Sequence, residues 1–325
     1  MCKIFRCPVC DTPFILSDGC PKCGFVAENV NRVWQLSDMP DIVTDGEGDK
    51  YIGYEHIGEH YSGNRRYTIE ERDRLSAAEI AQLTGSGIFL DIACGDGCLT
   101  VPAAEYGVQI IAGDISNAML GILQGKAAHN GISLENVTLC RMNALDLPLG
   151  NETVDVAVAN SVLHLISNPQ KVISEIYRVL KKGGVFVCFQ DAPGKDSENC
   201  FDNTKYNEIV NALYRKYWEA LNKYGIFAKK YSWHFDREAY CREVFGSAVV
   251  KTIKRGALYR TPLKDGFLPR FIGRGFSDQM EVPPALHREV IVDLQREFEE
   301  LYGSDFVDCE FQGVEDDLLI TIYKK

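Results

Sequence analysis

No apolar run in the 325-residue chain approaches the roughly 18 residues that a membrane-spanning helix needs, so none is expected. The first residues, MCKIFRCPVC, lack the apolar stretch and small-residue cleavage site of a secretory signal, and the expected compartment is the cytoplasm. A basic excess is missing as well. The net charge of −11 argues against the cationic footprint that nucleic-acid binding needs. There is no internal repeat and no low-complexity segment, which excludes solenoid and disordered classes. What remains is an ordinary globular balance, 46% hydrophobic and 25% charged. The length allows one large α/β domain and a small module.

The charge is uneven. Between Lys251 and Gly275, seven Lys or Arg face a single Asp, and the remainder of the chain is strongly acidic. The basic stretch reads either as a solvated loop or as a surface for an anionic substrate. Cysteine is abundant at 12 residues, but a disulfide framework does not suit a chain of this length without a signal peptide. Four of the cysteines form a cluster: Cys7 and Cys10 enclose two residues, Cys20 and Cys23 do the same, and each pair is a Cys-Pro-x-Cys turn. Such turns aim both sulfurs at one ion, and four thiolates suit tetrahedral Zn²⁺ in a closed, structural site. Chance turns or a redox pair are the other reading. A module this small cannot build an adequate core, so the metal would supply most of its folding free energy. Its acidic and basic residues balance, which weakens the case for a nucleic-acid finger.

Residues 1–38 are therefore read as a zinc-ribbon module, 39–84 as a linker and N-terminal helical cap, and 85–325 as the main domain. Thr68–Leu83 has helical spacing. From Gly87 onward the pattern alternates. Ile88–Ile92, Gln109–Asp114, Val137–Met142, Val154–Asn160 and Val185–Asp191 read as strands, separated by helices over Leu99–Tyr106, Asn117–Asn130 and Val172–Leu180. Apolar strands separated by helices imply a doubly wound, mostly parallel sheet covered on both faces, here seven-stranded. Further helices are expected over Asn203–Tyr224, Asp236–Phe245 and Ala285–Tyr302, with strands over Ala248–Lys254 and Leu318–Tyr323. The segments near 193–235 and 255–305 exceed a minimal fold and read as lid-like insertions.

The chemistry concentrates in Phe89-Leu-Asp-Ile-Ala-Cys-Gly-Asp-Gly-Cys-Leu-Thr100, a strand running into a glycine loop that opens a helix. Gly95 and Gly97 permit a tight turn and close approach to a ligand. Asp91 lies near the strand's C-terminal end, where open α/β sheets bind ligands. The next strand ends in Ala112-Gly113-Asp114-Ile115-Ser116, placing an acid where it can accept from both hydroxyls of a ribose. A nicotinamide dinucleotide would use the same geometry. The loop lacks the G-x-G-x-x-G spacing, however, and no helix N-terminus is obviously offered to a pyrophosphate.

Residues 87–191 resemble the core of the class I S-adenosylmethionine (SAM)-dependent methyltransferases, closest to the group that includes the ubiquinone-biosynthesis methyltransferases. Asp91-Ile-Ala93-Cys-Gly95-Asp-Gly97 matches the family's glycine motif, with Ala93 in place of its first glycine. Gly113-Asp114-Ile115-Ser116 with Met119-Leu120 resembles the ribose-binding stretch. Arg141–Pro148 resembles the segment that frames the adenine, with Asn143 where the family often has Asp. Val154–Asn160, Ser161-Val162-Leu163-His164 and Val179-Leu180-Lys181-Lys182-Gly183-Gly184 complete the set. The resemblance implies a SAM pocket lined by Asp91, Ala93, Gly95, Gly97, Asp114, Ile115, Met119, Asn143, Ala144 and Asn160. For each of these, an ordinary turn or cap is the competing reading.

Methyl transfer from a sulfonium is an in-line displacement that mainly requires alignment and exclusion of water. Where the acceptor must lose a proton, His164 is the candidate general base and His234 the second, against a purely structural role for either. Tyr206, Tyr214, Tyr217, Trp218, Tyr224, Phe227, Tyr231, Trp233 and Phe235 are dense enough to form either core or a lid, and Tyr51, Tyr54 and Tyr61 would close the other side. The leading reading is methyl transfer to a small organic acceptor. The alternatives are a ribosomal or transfer RNA base methyltransferase, suggested by resemblance to zinc-bearing guanine-N1 enzymes, and a non-catalytic SAM-binding scaffold. After the fourth strand, Asn160-Ser161-Val162-Leu163 is neither the Asn-Pro-Pro-aromatic run of exocyclic-amine enzymes nor a Pro-Cys nucleophile.

Overall fold

The computed structural model describes residues 4–40, 42–43, 47–54, 67–192, 201–227, 235–255, 257–279 and 282–325. In chain order, β1 (Phe5–Arg6) and β2 (Pro13–Phe14) flank the first cysteine pair. β3 (Glu28–Val30) and β4 (Val33–Gln35) make a hairpin, and β5 (Ile42–Val43) pairs with β6 (Tyr51–Ile52). After α1 (Glu71–Thr84) come β7 (Ile88–Ile92), α2 (Thr100–Ala104), β8 (Gln109–Asp114), α3 (Asn117–His129), β9 (Val137–Arg141), β10 (Val154–Val158), α4 (Pro169–Val179) and β11 (Leu180–Ala192). The C-terminal half holds α5 (Thr204–Asn222), α6 (Arg237–Phe245), β12 (Ala248–Ile253), β13 (Leu258–Pro262), α7 (Phe267–Ile272), α8 (Pro284–Tyr302), β14 (Glu310–Val314) and β15 (Asp317–Lys324).

The main sheet runs β12-β15-β11-β10-β7-β8-β9-β4-β3. Its first seven members are the seven expected strands, parallel except for β15, which is antiparallel to both β11 and β12. The sheet nevertheless has nine strands. β4 pairs parallel with β9, with Val33 opposite Leu139 and Gln35 opposite Arg141, and it brings β3 with it. Residues 28–35 thus complete an edge of the main sheet and do not belong to a self-contained module ending at 38. Phe5, Phe14, Leu16 and Ala27 share one buried cluster with Leu145, Leu147 and Leu149, so the cysteine segment is welded onto the domain core. A segment with too few apolar residues to fold alone borrows a core from its neighbour.

The chain leaves β7 toward β8 and β9 on one side and then returns to place β10 on the other. At such a reversal the strand ends splay apart and open a crevice at their carboxyl ends. Over it lies a second cluster built by Ile209, Leu213, Tyr217 and Leu221 of α5, Phe271 of α7, and Val290, Ile291, Leu294 and Phe298 of α8. The antiparallel pair β13–β14 flanks it. α5 falls within the segment 193–235 and β13, α7 and α8 within 255–305, while β14 lies beyond both.

Candidate functional site

Beyond Ile92 the chain turns through Ala93 (φ 54°), Gly95 (φ 54°) and Gly97 (φ 75°), three left-handed residues within five. Glycine is free to adopt this conformation, whereas Ala93 is strained there by about 1 kcal/mol. The turn carries the backbone back over the end of β7, where Asp114, at the end of β8, fixes it. Asp114 Oδ2 accepts from Gly95 N and Oδ1 accepts from Ser116 N, both at 2.9 Å. Ser116 in turn caps α3 by accepting from Met119 N.

Around this loop lies a cavity of about 650 Å³. Of the ten residues expected to line a cofactor pocket, the structure brings Ala93, Gly95, Asp114, Ile115, Met119, Asn143, Ala144 and Asn160 to its wall. Asp91 and Gly97 stand behind it. Asp91 is buried and accepts from Thr100 Oγ1 at 2.6 Å, tying β7 to the start of α2. Burial pushes its carboxyl up to about 7, the Thr100 bond opposes this, and the negative charge of Asp114 adds to it. A Cβ on Gly97 would lie 2.5 Å from Leu123 Cγ, so this glycine admits α3 against the loop. Asn143 Oδ1 accepts from Leu145 N at 2.9 Å, steadying its own turn.

His164, the expected general base, lies in the 3₁₀ turn Leu163–Leu165. That turn buries Leu163 and Leu165 and leaves His164 exposed. It is not among the cavity residues, because the apolar side chains of the turn claim the inward face. His234 lies outside the described residues, as do Tyr61, Tyr231 and Trp233.

One wall of the cavity is ionic. The buried Lys126 pairs with Asp96 at 2.8 Å, and Glu70, Arg72 and Asp73 stand nearby at the N-terminus of α1. Asp73 accepts from Glu70 N at 3.2 Å, and burial holds its carboxyl up at about 6. None of these was legible in the sequence, since Lys126 and Asp96 are 30 residues apart and meet only once α3 folds against the loop. The opposite wall is aromatic: Tyr54, Tyr206, Tyr259, Phe267, Phe276 and Phe311, with Arg270. Tyr206 was expected from a lid and Tyr54, with Tyr51, from the side facing it; all three line the cavity. Tyr214, Tyr217 and Trp218 pack within the α5/α8 layer, where Tyr217 Oη bonds His287 Nδ1 at 2.7 Å. For these three the core reading of the aromatic helix holds.

The cysteine cluster forms as its spacing predicts. The sulfurs of Cys7, Cys10, Cys20 and Cys23 lie within 4.8 Å of one another. Cys7–Cys23 and Cys10–Cys20 are each 3.5 Å apart. Bonds of about 2.3 Å from one tetrahedral ion require sulfurs about 3.8 Å apart, so the four thiols can hold a metal. Val9 N donates to Cys7 Sγ at 3.4 Å, and the hydroxyl and backbone of Thr12 hold Cys10 down at about 6, favouring the thiolate.

Residues 90–188 match the family model described as a methyltransferase domain. Demethylmenaquinone methyltransferase of Symbiobacterium thermophilum is 36% identical over 31% of this chain and 41% of its own length. Ubiquinone/menaquinone biosynthesis C-methyltransferase UbiE of Zymomonas mobilis is 31% identical over 42% of this chain and 52% of its own. Sterol 4-C-methyltransferase strm-1 of Caenorhabditis elegans is 29% identical over 51% of this chain and 49% of its own. The chain spans about half the length of these curated relatives, or less.

Proposed function

Taking residues 90–188 as a class I SAM-dependent methyltransferase domain, we propose that the protein transfers a methyl group from SAM to a small organic acceptor. The observation that carries this reading is the two-sided cavity, ionic and polar at the Gly95–Asp114 loop and aromatic under α5, α7 and the β13–β14 pair. The loop side has the donors and acceptors that SAM needs. Asp114, oriented by Gly95 N and Ser116 N, stands at the end of β8 on the cavity wall, where an acid suits ribose hydroxyls. Ile115, Met119, Met142, Ala144 and Leu145 offer an apolar slot for a flat base. Glu70 and Asp73 place acids beside the space, suited to a cationic ligand, and Arg72 suits a carboxylate.

Bound there, SAM supplies an activated methyl. The chain's own contribution is to align the acceptor and to exclude water. The aromatic residues of α5, α7, β13 and β14 cover the crevice and do both. The four cysteines are proposed to hold one structural Zn²⁺, since four thiolates leave no open position for catalysis. Thiolates reserved for a metal suit a reducing compartment, in keeping with a cytoplasmic setting.

Calorimetric titration with SAM, followed by labelled-methyl transfer into a metabolite extract, tests the proposal. It predicts a Kd in the micromolar range typical of cofactor sites and label in the low-molecular-weight fraction, with little dependence on salt. Label in ribosomal or transfer RNA that fades steeply as salt rises would replace it with the RNA reading. SAM binding with no transfer to either pool would favour the scaffold.

A further inference from the structure

The basic stretch from Lys251 to Gly275 is largely neutralised by the fold. Lys251 pairs with Glu79 and Lys254 with Asp317. Arg255 pairs with Glu315 at 3.1 Å, Arg260 with Glu310 at 3.9 Å and Lys264 with Asp308 at 2.6 Å. The acidic C-terminal segment that folds back through β14 and β15 supplies most of these partners, so this stretch is not a free cationic surface. Arg274 is buried against the carbonyl of Gln279. The seventh, Arg270, is different.

Arg270 lies on α7 in the aromatic wall of the cavity. Its Nε donates to the carbonyl of Gly275 at 3.0 Å, and its guanidinium carbon sits 4.4 Å from the centre of the Phe276 ring. Both contacts fix the plane of the group without using its terminal nitrogens. Among the described residues it makes no ion pair. Asp278 is close enough to feel its charge but bonds instead to Trp218 and to backbone N–H groups. An arginine braced at Nε and stacked on a ring presents its two terminal NH₂ groups as a preset fork, the geometry that receives a carboxylate in two parallel hydrogen bonds. Tyr54, in the same aromatic wall, is close enough to register the Arg270 charge.

We propose that Arg270 is the specificity-determining anchor for a carboxylate on a planar aromatic acceptor, whose ring lies among Tyr54, Tyr259, Phe267 and Phe311. This rests on the methyltransferase reading for its role in catalysis, but the binding it predicts does not. Rings prefer offset or edge contacts with other rings, which this wall offers on several sides. A flexible aliphatic acid would gain the ion pair but not the ring contacts, and a neutral aromatic would gain the ring contacts but not the ion pair.

The test uses probes of known chemistry on the intact 325-residue chain purified without chelators. Binding of 4-hydroxybenzoate and of its neutral isostere 4-hydroxybenzamide is measured by calorimetry in the presence of S-adenosylhomocysteine, for the natural protein and for Arg270→Gln and Arg270→Lys. The expected result is that the carboxylate binds at least tenfold tighter than the amide. Arg270→Gln should abolish that preference and Arg270→Lys should restore part of it, while affinity for S-adenosylhomocysteine stays within twofold in every variant. Equal binding of acid and amide, or a preference that survives in Arg270→Gln, would overturn the assignment. Failure of S-adenosylhomocysteine to bind would strike at the methyltransferase reading instead, and the acid–amide comparison made without it would still decide the role of Arg270.

Discussion

Arg6 Nε donates to the main-chain carbonyl of Leu147 at 2.9 Å, joining residues 141 positions apart. Arg6 precedes Cys7 of the four-cysteine cluster, and Leu147 lines the cavity beside Asn143, Ala144 and Leu145. The tie is reinforced on both sides. Arg6 N donates to the Pro148 carbonyl at 3.1 Å, and the Arg6 side chain pairs with Asp146 and Glu175. Glu175 accepts from Leu147 N at 2.9 Å, and Arg178 also donates to the Leu147 carbonyl. The cysteine knuckle therefore braces one wall of the proposed SAM pocket.

Metal removal should accordingly be felt at the cofactor site. Elemental analysis of protein prepared without chelators is expected to find about one zinc per chain. Stripping it, or the substitution Arg6→Ala, should weaken SAM binding by about 1–2 kcal/mol, the scale of a few charge-assisted hydrogen bonds lost from a supporting wall. Unchanged SAM affinity in metal-free protein that remains folded by circular dichroism would sever the link.

Asp114 stands at the centre of the loop side, accepting from Gly95 N and Ser116 N. Asp114→Ala removes the proposed ribose acceptor and frees the loop it holds. SAM affinity should fall by about 1–3 kcal/mol. Calorimetry with an undiminished Kd would remove Asp114 from the site.

His164 carries the reverse expectation. It is exposed on a turn whose apolar residues face inward, and burial on one side only lowers its proton affinity without bringing it to the cavity. His164→Ala should keep turnover within about threefold of the natural protein, far from the 10²–10⁴-fold loss expected of a general base. A loss of that larger size, with SAM binding intact, would return the proton-transfer role to this residue.

The alternating core and its seven strands were legible because each strand is rich in apolar residues and glycine follows the helices closely, as at Gly85 after α1, Gly107 after α2 and Gly131 after α3. The same holds for Gly95, Asp114 and the four cysteines, where chemistry depends on neighbours within a few residues. What was hidden depended on long-range pairing. β4 is a three-residue strand, Val33–Gln35, too short to show a period, and it exists because β9 has an open edge. Asp91 and Gly97 match the glycine motif, but sequence spacing cannot distinguish a residue that touches a ligand from one that supports the loop. Arg270 carried no distinguishing local signal among seven basic residues, and it stands out only after the fold has paired its neighbours.

Gly97 tests the supporting role directly. It combines φ 75° with a site where a Cβ would lie 2.5 Å from Leu123 Cγ and 3.0 Å from Val101 Cγ2. Gly97→Ala should destabilise the fold by about 2–4 kcal/mol, from left-handed strain together with overpacking between the loop and α3. Thermal denaturation showing a loss under 1 kcal/mol would mean that α3 yields more easily than its packing indicates.

Asp91 offers the sharpest test of how the loop is built, because its buried carboxyl is held up at about 7 against an ordinary value of 3.8. The folded chain therefore holds this proton more tightly than the unfolded chain does. Its contribution to stability is fully present below about pH 4 and is lost as pH rises to about 7, beyond which it is constant. Depressed carboxylates such as Glu175 and Asp49 act in the opposite sense, so total stability will not show the effect. The difference between the natural protein and Asp91→Asn will, because the amide keeps an acceptor for Thr100 Oγ1 but does not titrate. Measured by urea denaturation across pH 4 to 8, the natural protein should lose ground to Asp91→Asn as pH rises, by on the order of 1.4 kcal/mol per pH unit at most, and the difference should level off above neutrality. A difference that grows in favour of the natural protein over the same range would mean that Asp91 is held ionised, with the Thr100 hydrogen bond outweighing burial.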